Sequence, residues 1–298
     1  PYNFTINVKT KNPQILLEGR SLGIKNIQTS IALKSLINDQ FLIDDLQIKT
    51  RETKLNNIIA LVRTFQNSPQ LYVLDTIIKD GFITANVRLN FDEKGEIKKD
   101  YKINGLVTEA KLNILNKLKF KNLNFNFNIE KNIFSLKQIE MIFNDIKINS
   151  PKVEIKKNKD LFFVNGQFLN DEKSFSAQEL KTIFVNLPSN IDIKKIEFSS
   201  TNDFSFNISK NLKFDNFKIK SIVDLKQLVL NEKILKLNLY LPSFIENIEF
   251  LKHEIIIDYD KKNLDIKGSG NILLEKNLDS LSYEIKTDKD NFLFNSKI

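Results

Sequence analysis

The residues that could do chemistry in this chain are few and stand far apart. His253 is the single histidine and there is no cysteine, so a metal site or a thiol nucleophile has no partner residues to draw on. A position in a strand and solvent exposure explain His253 more simply than a role as a ligand does. Paired carboxylates such as Asp44-Asp45 have no neighbour that suggests acid–base catalysis. We therefore expect no catalytic residue, no metal site and no enzyme activity.

Two further patterns only superficially resemble binding motifs. Gly268-Ser269-Gly270 lies between two strands and lacks the following helix that phosphate binding needs, so a turn or bulge is expected. Asp258-Tyr259-Asp260 and Asp288-Lys289-Asp290-Asn291 lack the loop length, glycine and terminal glutamate of a calcium site. Both stand where a hairpin is expected to turn, and Asp and Asn are common turn residues. No cofactor is expected.

Composition and charge narrow the classes of partner. The chain has 298 residues, 41% of them hydrophobic, with 24 Phe, no Trp and a net charge of +8. Its lysines are spread along strands and turns, whereas a nucleic-acid-binding protein concentrates charge and presents aromatic rings for stacking. We expect no nucleic-acid partner, and weak attraction to anionic membrane surfaces is at least as compatible.

Targeting and membrane-spanning segments are not visible in the sequence. No run approaches the roughly 18 apolar residues that span a bilayer, and no signal peptide is visible. Because the chain begins with Pro1 rather than Met, we expect it to be a segment of a longer protein, with any membrane anchor outside it.

The elements that would position a site are mostly strands. Between Lys117 and Ser150, apolar residues alternate with Lys, Asn, Asp and Glu, so that one face of a sheet is apolar and the other polar. The phase slips at Glu130-Lys131-Asn132 and at Asn144-Asp145, where the chain is expected to turn. Similar short runs recur at roughly 8–12-residue spacing along the chain. The pattern predicts a long antiparallel meander.

Helical periodicity interrupts this pattern. Leu55, Ile58, Ile59 and Val62 share one face of a helix predicted near 55–66. Ser68-Pro69 begins a second possible helix, 69–79, and a capping-box pattern at 176–179 begins a third, 175–185. These two or three short helices are too few to cover the apolar side of the predicted sheet.

Two architectures would remove the apolar face of so many strands from water. The sheet could cover itself as a sandwich or barrel, giving a closed, dry core. Alternatively, an elongated, strongly curved sheet could stay open as a groove whose apolar side is filled by acyl chains.

A family resemblance favours the groove. The stretch GIKNIQTSIALKSLINDQFLIDDLQIKTRETKLNNIIALVRTF resembles the β-rich opening of AsmA-like proteins, a group that includes the TamB and YhdP relatives. Ser30 to Ile48, a polar connector and the helix from Leu55 carry this resemblance. The later hairpins around Gly81, Gly95 and Gly105, and the stretch from Asn211 to Leu225, are similar in style.

The resemblance implies a mainly β, taco-like open groove that forms one continuous segment over residues 1–298. Such proteins are anchored in the inner membrane, span the periplasm and are implicated in moving phospholipid towards the outer membrane. The expected partners are therefore phospholipid acyl chains, an inner-membrane anchor outside this segment, and the outer membrane or its proteins. The alternative is a structural or assembly scaffold of the bacterial envelope with a closed, dry β core.

If the sheet forms a groove, the apolar residues on one side of each strand are expected to contact the acyl chains. The predicted groove-lining residues are Leu123, Phe125, Phe127, Ile129, Ile139, Met141, Phe143, Phe204, Phe206, Ile208, Phe217, Ile219, Leu235, Leu237 and Leu239.

Overall fold

The computed structural model describes most of the chain as β-strand. It covers residues 5–17, 20–32, 43–65, 69–114, 118–143, 146–176, 179, 192–211, 213–231, 247–274, 276–288 and 291–298. The strands of the N-terminal half are β1 (Thr5–Lys11), β2 (Gln14–Leu17), β3 (Arg20–Ala32), β4 (Ile43–Thr50), β5 (Thr53–Lys54), β6 (Ile78–Asn90), β7 (Lys102–Ile114), β8 (Leu118–Glu130) and β9 (Ile133–Phe143). The strands that follow are β10 (Ile146–Asn158), β11 (Leu161–Phe175), β12 (Asp192–Ser209), β13 (Phe214–Asn231), β14 (Asn247–Asp260), β15 (Leu264–Leu273), β16 (Leu278–Asp288) and β17 (Asn291–Lys297).

These strands belong to one antiparallel sheet that is not closed, so the prediction of a mainly β, antiparallel fold is confirmed. Near the N-terminus, β3 pairs with β1 and β2 on one side and with β4 on the other. Strands β4 and β5 both pair with β6, and β6 to β9 then follow as a meander. A second meander runs from β13 to β17.

The chain divides into two compact units. The first contains Pro1–Phe143, Ser150–Val164 and Ile208–Lys213. The second contains Asn144–Asn149, Asn165–Asn207 and Phe214–Ile298.

Two helices lie between β5 and β6 in the described part of the chain. They are α1 (Leu55–Phe65) and α2 (Pro69–Ile77), which confirms the helices predicted near 55–66 and 69–79. In α1, Leu55 and Ile59 are one turn apart and buried, while Val62 is 39% exposed. The helix is thus amphipathic, and it buries a narrow apolar stripe.

The third predicted helix, 175–185, lies mostly outside the described residues. Its first residue was predicted wrongly, because Phe175 ends β11. The capping box itself is confirmed: the Ser176 N–H donates to Glu179 Oε2 at 2.8 Å, and the Glu179 N–H donates to Ser176 Oγ at 3.3 Å. The Ser176 hydrogen bonds, with the Lys173 ammonium, hold the pKa of Glu179 below its usual range.

The predicted turn at Glu130-Lys131-Asn132 is present as a two-residue hairpin. Lys131 and Asn132 have φ of 49° and 66°, as a type I′ turn requires. The other predicted turn, Asn144-Asp145, lies outside the described residues.

Several phase slips in the sequence are bulges inside long strands rather than turns. The short strands predicted along the chain are wrong in length in its second half, where β12 and β13 each run for 18 residues. In β7, β8 and β9, Glu109, Asn122 and Gln138 have φ near 50° where the pairing register shifts. A bulge inserts one residue, which moves the alternation by one position without ending the strand.

Gly81 in β6 provides a test of this bulged region. Its φ is 132°, and a Cβ at this position would lie 2.7 Å from the Cα of Ala110. We expect Gly81→Ala to lower the free energy of unfolding by about 2–3 kcal/mol, because the backbone is strained for any side chain. Urea denaturation measures this change.

Gly23→Ala is the matched control, because a Cβ there meets only the Arg51 side chain at 3.5 Å. We expect a change within about 0.5 kcal/mol, because the added methyl group meets a flexible side chain at ordinary contact distance. Equal losses in the two variants would contradict the structural role of Gly81.

Candidate apolar binding face

An unbroken row of mostly apolar side chains crosses the strands of the first unit. Each member stands directly opposite the next on the neighbouring strand, from β1 through β3, β4, β6, β7 and β8 to β9. We call this the central apolar row, and it consists of Thr10, Ile27, Ile48, Val87, Ile103, Ile129 and Phe134.

Further rows on the same side make up the apolar face of the first unit. One flanking row contains Val8, Thr29, Leu46 and Leu89, and the rows on the other side contain Ala85, Gly105, Phe127 and Leu136, then Ile83, Val107 and Phe125. Gly105 leaves room for the ring of Phe127, since a Cβ there would be 2.7 Å from Phe127 Cζ. The ring therefore lies over the neighbouring strand.

Most of this face is only partly covered. Apart from the exposed Thr10, all members of the central apolar row are half-buried. In the described part of the unit, the strands make their closest backbone contacts with their paired neighbours and with the two helices. Neighbouring side chains in the sheet shield one another, but their outer surfaces remain open to a further apolar layer.

One end of the face is covered by α1. Leu55 and Ile59 of the helix form a buried cluster with sheet residues. The sheet members of this cluster are Ile78, Val107, Ala110, Leu123 and Ile139. The apolar face thus has a helix-covered sector, defined by this cluster, and an open sector that contains the central apolar row.

The predicted groove residues of β8 and β9 divide between these sectors. Leu123 and Ile139 are buried in the cluster that includes Leu55 and Ile59 of α1, and Phe125, Phe127 and Met141 are partly buried and pack against that cluster.

Two others lie elsewhere on these strands. Ile129 belongs to the central apolar row. Phe143 is half-buried and stacks on Phe120, with ring centroids 5.0 Å apart.

The predicted aromatic residues of β12 form a chain of ring contacts. Phe204 lies 6.1 Å from Phe168 and 6.0 Å from Phe206, and Phe206 lies 5.6 Å from Phe214 between centroids. Ile208, on the same strand, is half-buried.

The last predicted residues are on β13 or beyond the described chain. Phe217 is 43% exposed, with its ring 6.1 Å from that of Tyr259. Ile219 is half-buried opposite Tyr259. The remaining predicted residues, Leu235, Leu237 and Leu239, lie outside the described residues.

The second unit has its own apolar rows. Across β13 to β17 one of them consists of Ser221, Ile257, Ile266, Ile285 and Phe294. At its far end Phe294 is 63% exposed and Phe292 is 67% exposed. Tyr283, in the adjacent row, is half-buried, and burial raises the pKa of its phenol.

His253 is fully buried, so the expectation of solvent exposure is wrong. Its Nε2 is 2.9 Å from the Asn271 carbonyl oxygen, and its Nδ1 has no hydrogen-bond partner among the described residues. The rings of Phe250 and Tyr283 lie 5.5 and 5.8 Å away. Gly270 leaves the space that the imidazole fills, as a Cβ there would be 2.4 Å from His253 Cδ2.

The pattern around Gly268-Ser269-Gly270 is also explained by the fold. These residues lie within β15, so a turn is wrong, but the pairing register with β14 shifts between Leu251 and Glu254 next to them. The bulge is on β14, where Lys252 has a φ of 52°.

Among the residues that the structure describes, no group of three or more His, Asp or Glu could hold a metal ion. Neither α1 nor α2 is long and apolar enough to cross a membrane.

Sequence reasoning missed much of the open sector. It selected Ile129 but none of its row partners, such as Ile48, Val87 or Ile103. The alternation that marks them is present in every strand, but only the register of the pairing shows which runs join into one row.

No family model, curated protein or solved structure matches this chain.

The cluster under α1 is tested by truncating its helix side. Ile59→Ala removes buried methyl groups and leaves a cavity in this cluster, so we expect the free energy of unfolding to fall by about 2–4 kcal/mol. Chemical denaturation measures this loss.

Val62→Ala on the same helix is the control, since Val62 is 39% exposed. It should cost less than about 1 kcal/mol. A similar small cost for both variants would mean that α1 does not close this end of the face.

Proposed function

We propose that the open sector of the apolar face carries phospholipid acyl chains. The observation that supports this is the central apolar row, which continues in register across seven strands and whose apolar members are all half-buried. Large contiguous apolar surface in a protein is typical of a site for a protein, membrane or ligand partner.

The dimensions of the row suit an acyl chain. Adjacent strands are about 4.8 Å apart, so the six steps of the row span about 29 Å. One leaflet supplies about half of the roughly 30 Å hydrocarbon core of a bilayer. The row is therefore about twice as long as one acyl chain and could accommodate chains placed end to end.

The energetics favour sliding over tight binding. Each methylene buried from water contributes about 0.8 kcal/mol, but a lipid that leaves a bilayer gives up a similar amount. A continuous apolar row offers nearly equal contacts at every position, so no position holds the chain strongly. Direction must then come from elsewhere, and no chemical step is involved.

Curvature of the sheet over this face is part of the proposal. Gly81, Glu109, Asn122 and Gln138 have positive φ in four consecutive strands, β6 to β9. Bulges bend a strand and increase its twist, so a set of them in neighbouring strands favours a curved sheet. Lipid head groups would then stay at the open side of a groove.

The cellular setting follows from the resemblance to AsmA-like proteins. If the resemblance holds, this chain is a periplasmic segment of a bridge between the inner and outer membranes. It is then attached to the inner membrane through a part of the protein outside these residues. Its partners would be phospholipid and the outer membrane or its proteins.

A structural scaffold is the second candidate function. The observation that favours it is the burial of Leu123 and Ile139 in the cluster that includes α1 residues, because predicted groove residues there contact protein. This hypothesis expects the open sector to be covered by protein as well.

Retained lipid distinguishes the two functions. The protein is expressed in bacteria, purified without detergent and extracted with organic solvent for mass spectrometry. We expect phospholipid in the extract, and we expect much less from the variant Ile48→Asn/Val87→Asn/Ile103→Asn, because polar side chains interrupt the central apolar row.

The control is Asn86→Ser/Asn104→Ser, which changes the opposite face of β6 and β7. Circular dichroism and the urea midpoint check that every variant is folded, and Ile103→Asn alone serves if the triple variant is not. An extract without lipid, or equal lipid from the folded variants, would refute the proposal in favour of a scaffold.

A further inference from the structure

The opposite side of the first unit is polar and carries two cationic rows. We call this side the polar face of the first unit. In register across the strands, one row contains Lys9, Gln28, Gln47, Arg88, Lys102 and Glu130, and the other contains Lys11, Asn26, Lys49, Asn86, Asn104 and Asn128. The lysines look dispersed along the sequence, but strand pairing brings them together.

Most of these cations have no counter-charge. Lys102 pairs with Glu130 at 3.1 Å. By contrast, the cations Lys9, Lys11, Lys25, Lys49 and Arg88 make no ion pair with any other residue that the structure describes. Arg88 lies on β6, and the four lysines lie on β1, β3 and β4. Together they leave this side of the sheet with a net positive charge.

On the second unit, several lysines pair with carboxylates. Lys267 and Lys286 lie 3.4 and 2.7 Å from Glu284, and Lys261 lies 2.6 Å from Asp215. The Lys286 ammonium and then Lys267 hold the pKa of Glu284 below its usual range.

Lys218 and Lys220 make no ion pair with a described residue, but each stands directly opposite an aspartate on β14. In the two rows of the first unit, only Lys102 has a carboxylate residue directly opposite.

A shallow depression of about 540 Å³ lies within the cationic rows. The residues that line it on the polar face are Lys25, Lys49, Thr84, Asn86, Asn104, Leu106 and Asn126. Ammonium and amide N–H groups are donors that suit phosphate oxygens.

We propose that the polar face of the first unit docks on the surface of an anionic phospholipid bilayer. Charge complementarity supports this partner, since lysines near a membrane surface are attracted to anionic head groups. The two rows contain no aromatic side chain on which nucleic-acid bases could stack. The depression between Lys25 and Lys49 receives a head-group phosphate.

This interaction goes beyond the proposed function, because it uses the opposite face of the sheet and needs no acyl chain on the apolar face. It places the first unit beside a membrane while its open sector faces away from the head groups.

Vesicle co-sedimentation tests the proposal. The probe is vesicles of phosphatidylcholine, either pure or with an equal share of phosphatidylglycerol. We expect binding to the anionic vesicles only, and loss of binding in about 1 M salt, where the screening length falls to about 3 Å.

The test variant is Lys11→Gln/Lys49→Gln/Arg88→Gln, whose three positions are exposed. At about fivefold in affinity per cation, it should bind on the order of 100-fold more weakly. The matched control, Lys218→Gln/Lys220→Gln/Lys297→Gln, removes the same charge from exposed positions of the second unit and should bind within about threefold of the unchanged protein.

Equal losses in the two triple variants, or equal binding to neutral vesicles, would overturn the proposal. The proposal would also be overturned if the protein bound a soluble polyanion such as heparin through the cationic rows but did not bind anionic vesicles. Lipid retained after purification is measured in parallel. If the unchanged protein retains no lipid, only the proposal of acyl-chain carriage is refuted. If substitutions in the cationic rows leave vesicle binding unchanged, only the proposal of bilayer docking is refuted.

Discussion

The backbone ladder between antiparallel strands is the constraint on which this structure depends. Paired strands place directly opposed residues on the same side of the sheet, and successive residues on opposite sides. Once β1 to β9 pair in register, the side of the sheet on which each side chain lies is set. Ile48, Val87 and Ile103 join one apolar row, while their neighbours Lys49, Asn86 and Asn104 join a polar row behind it. Both candidate surfaces arise from the same pairing.

An apolar face of this extent requires a partner layer, and α1 supplies one for a single sector. There the core is dry, because helix and sheet residues exclude water from one another. Beyond the helix, the half-buried side chains of the open sector still expose area whose burial would be favourable. Acyl chains suit that surface since they need no hydrogen bonds and no fixed position. The cationic rows on the other side suit charged head groups, because their ammonium and guanidinium groups can donate hydrogen bonds to phosphate oxygens.

The sequence alone predicts the elements of this fold well, because strand alternation, the amphipathic stripe of α1 and the capping box at Ser176 are local patterns. It predicts long-range features poorly. Bulges at Asn122 and Gln138 imitate turns, since both shift the alternation by one residue. The burial of His253 depends on Gly270, which belongs to a neighbouring strand. The cationic rows are also invisible before the register is known, because their members come from separate stretches of the chain.

The most direct measurement is photo-crosslinking from two adjacent positions of β7. A photoreactive phenylalanine analogue is placed at Ile103 or at Asn104, and the protein is irradiated after detergent-free purification with no bilayer present. If acyl chains occupy the apolar face, mass spectrometry will find phospholipid attached at position 103 and not at 104. Adducts at both positions alike, or at neither, would contradict the account.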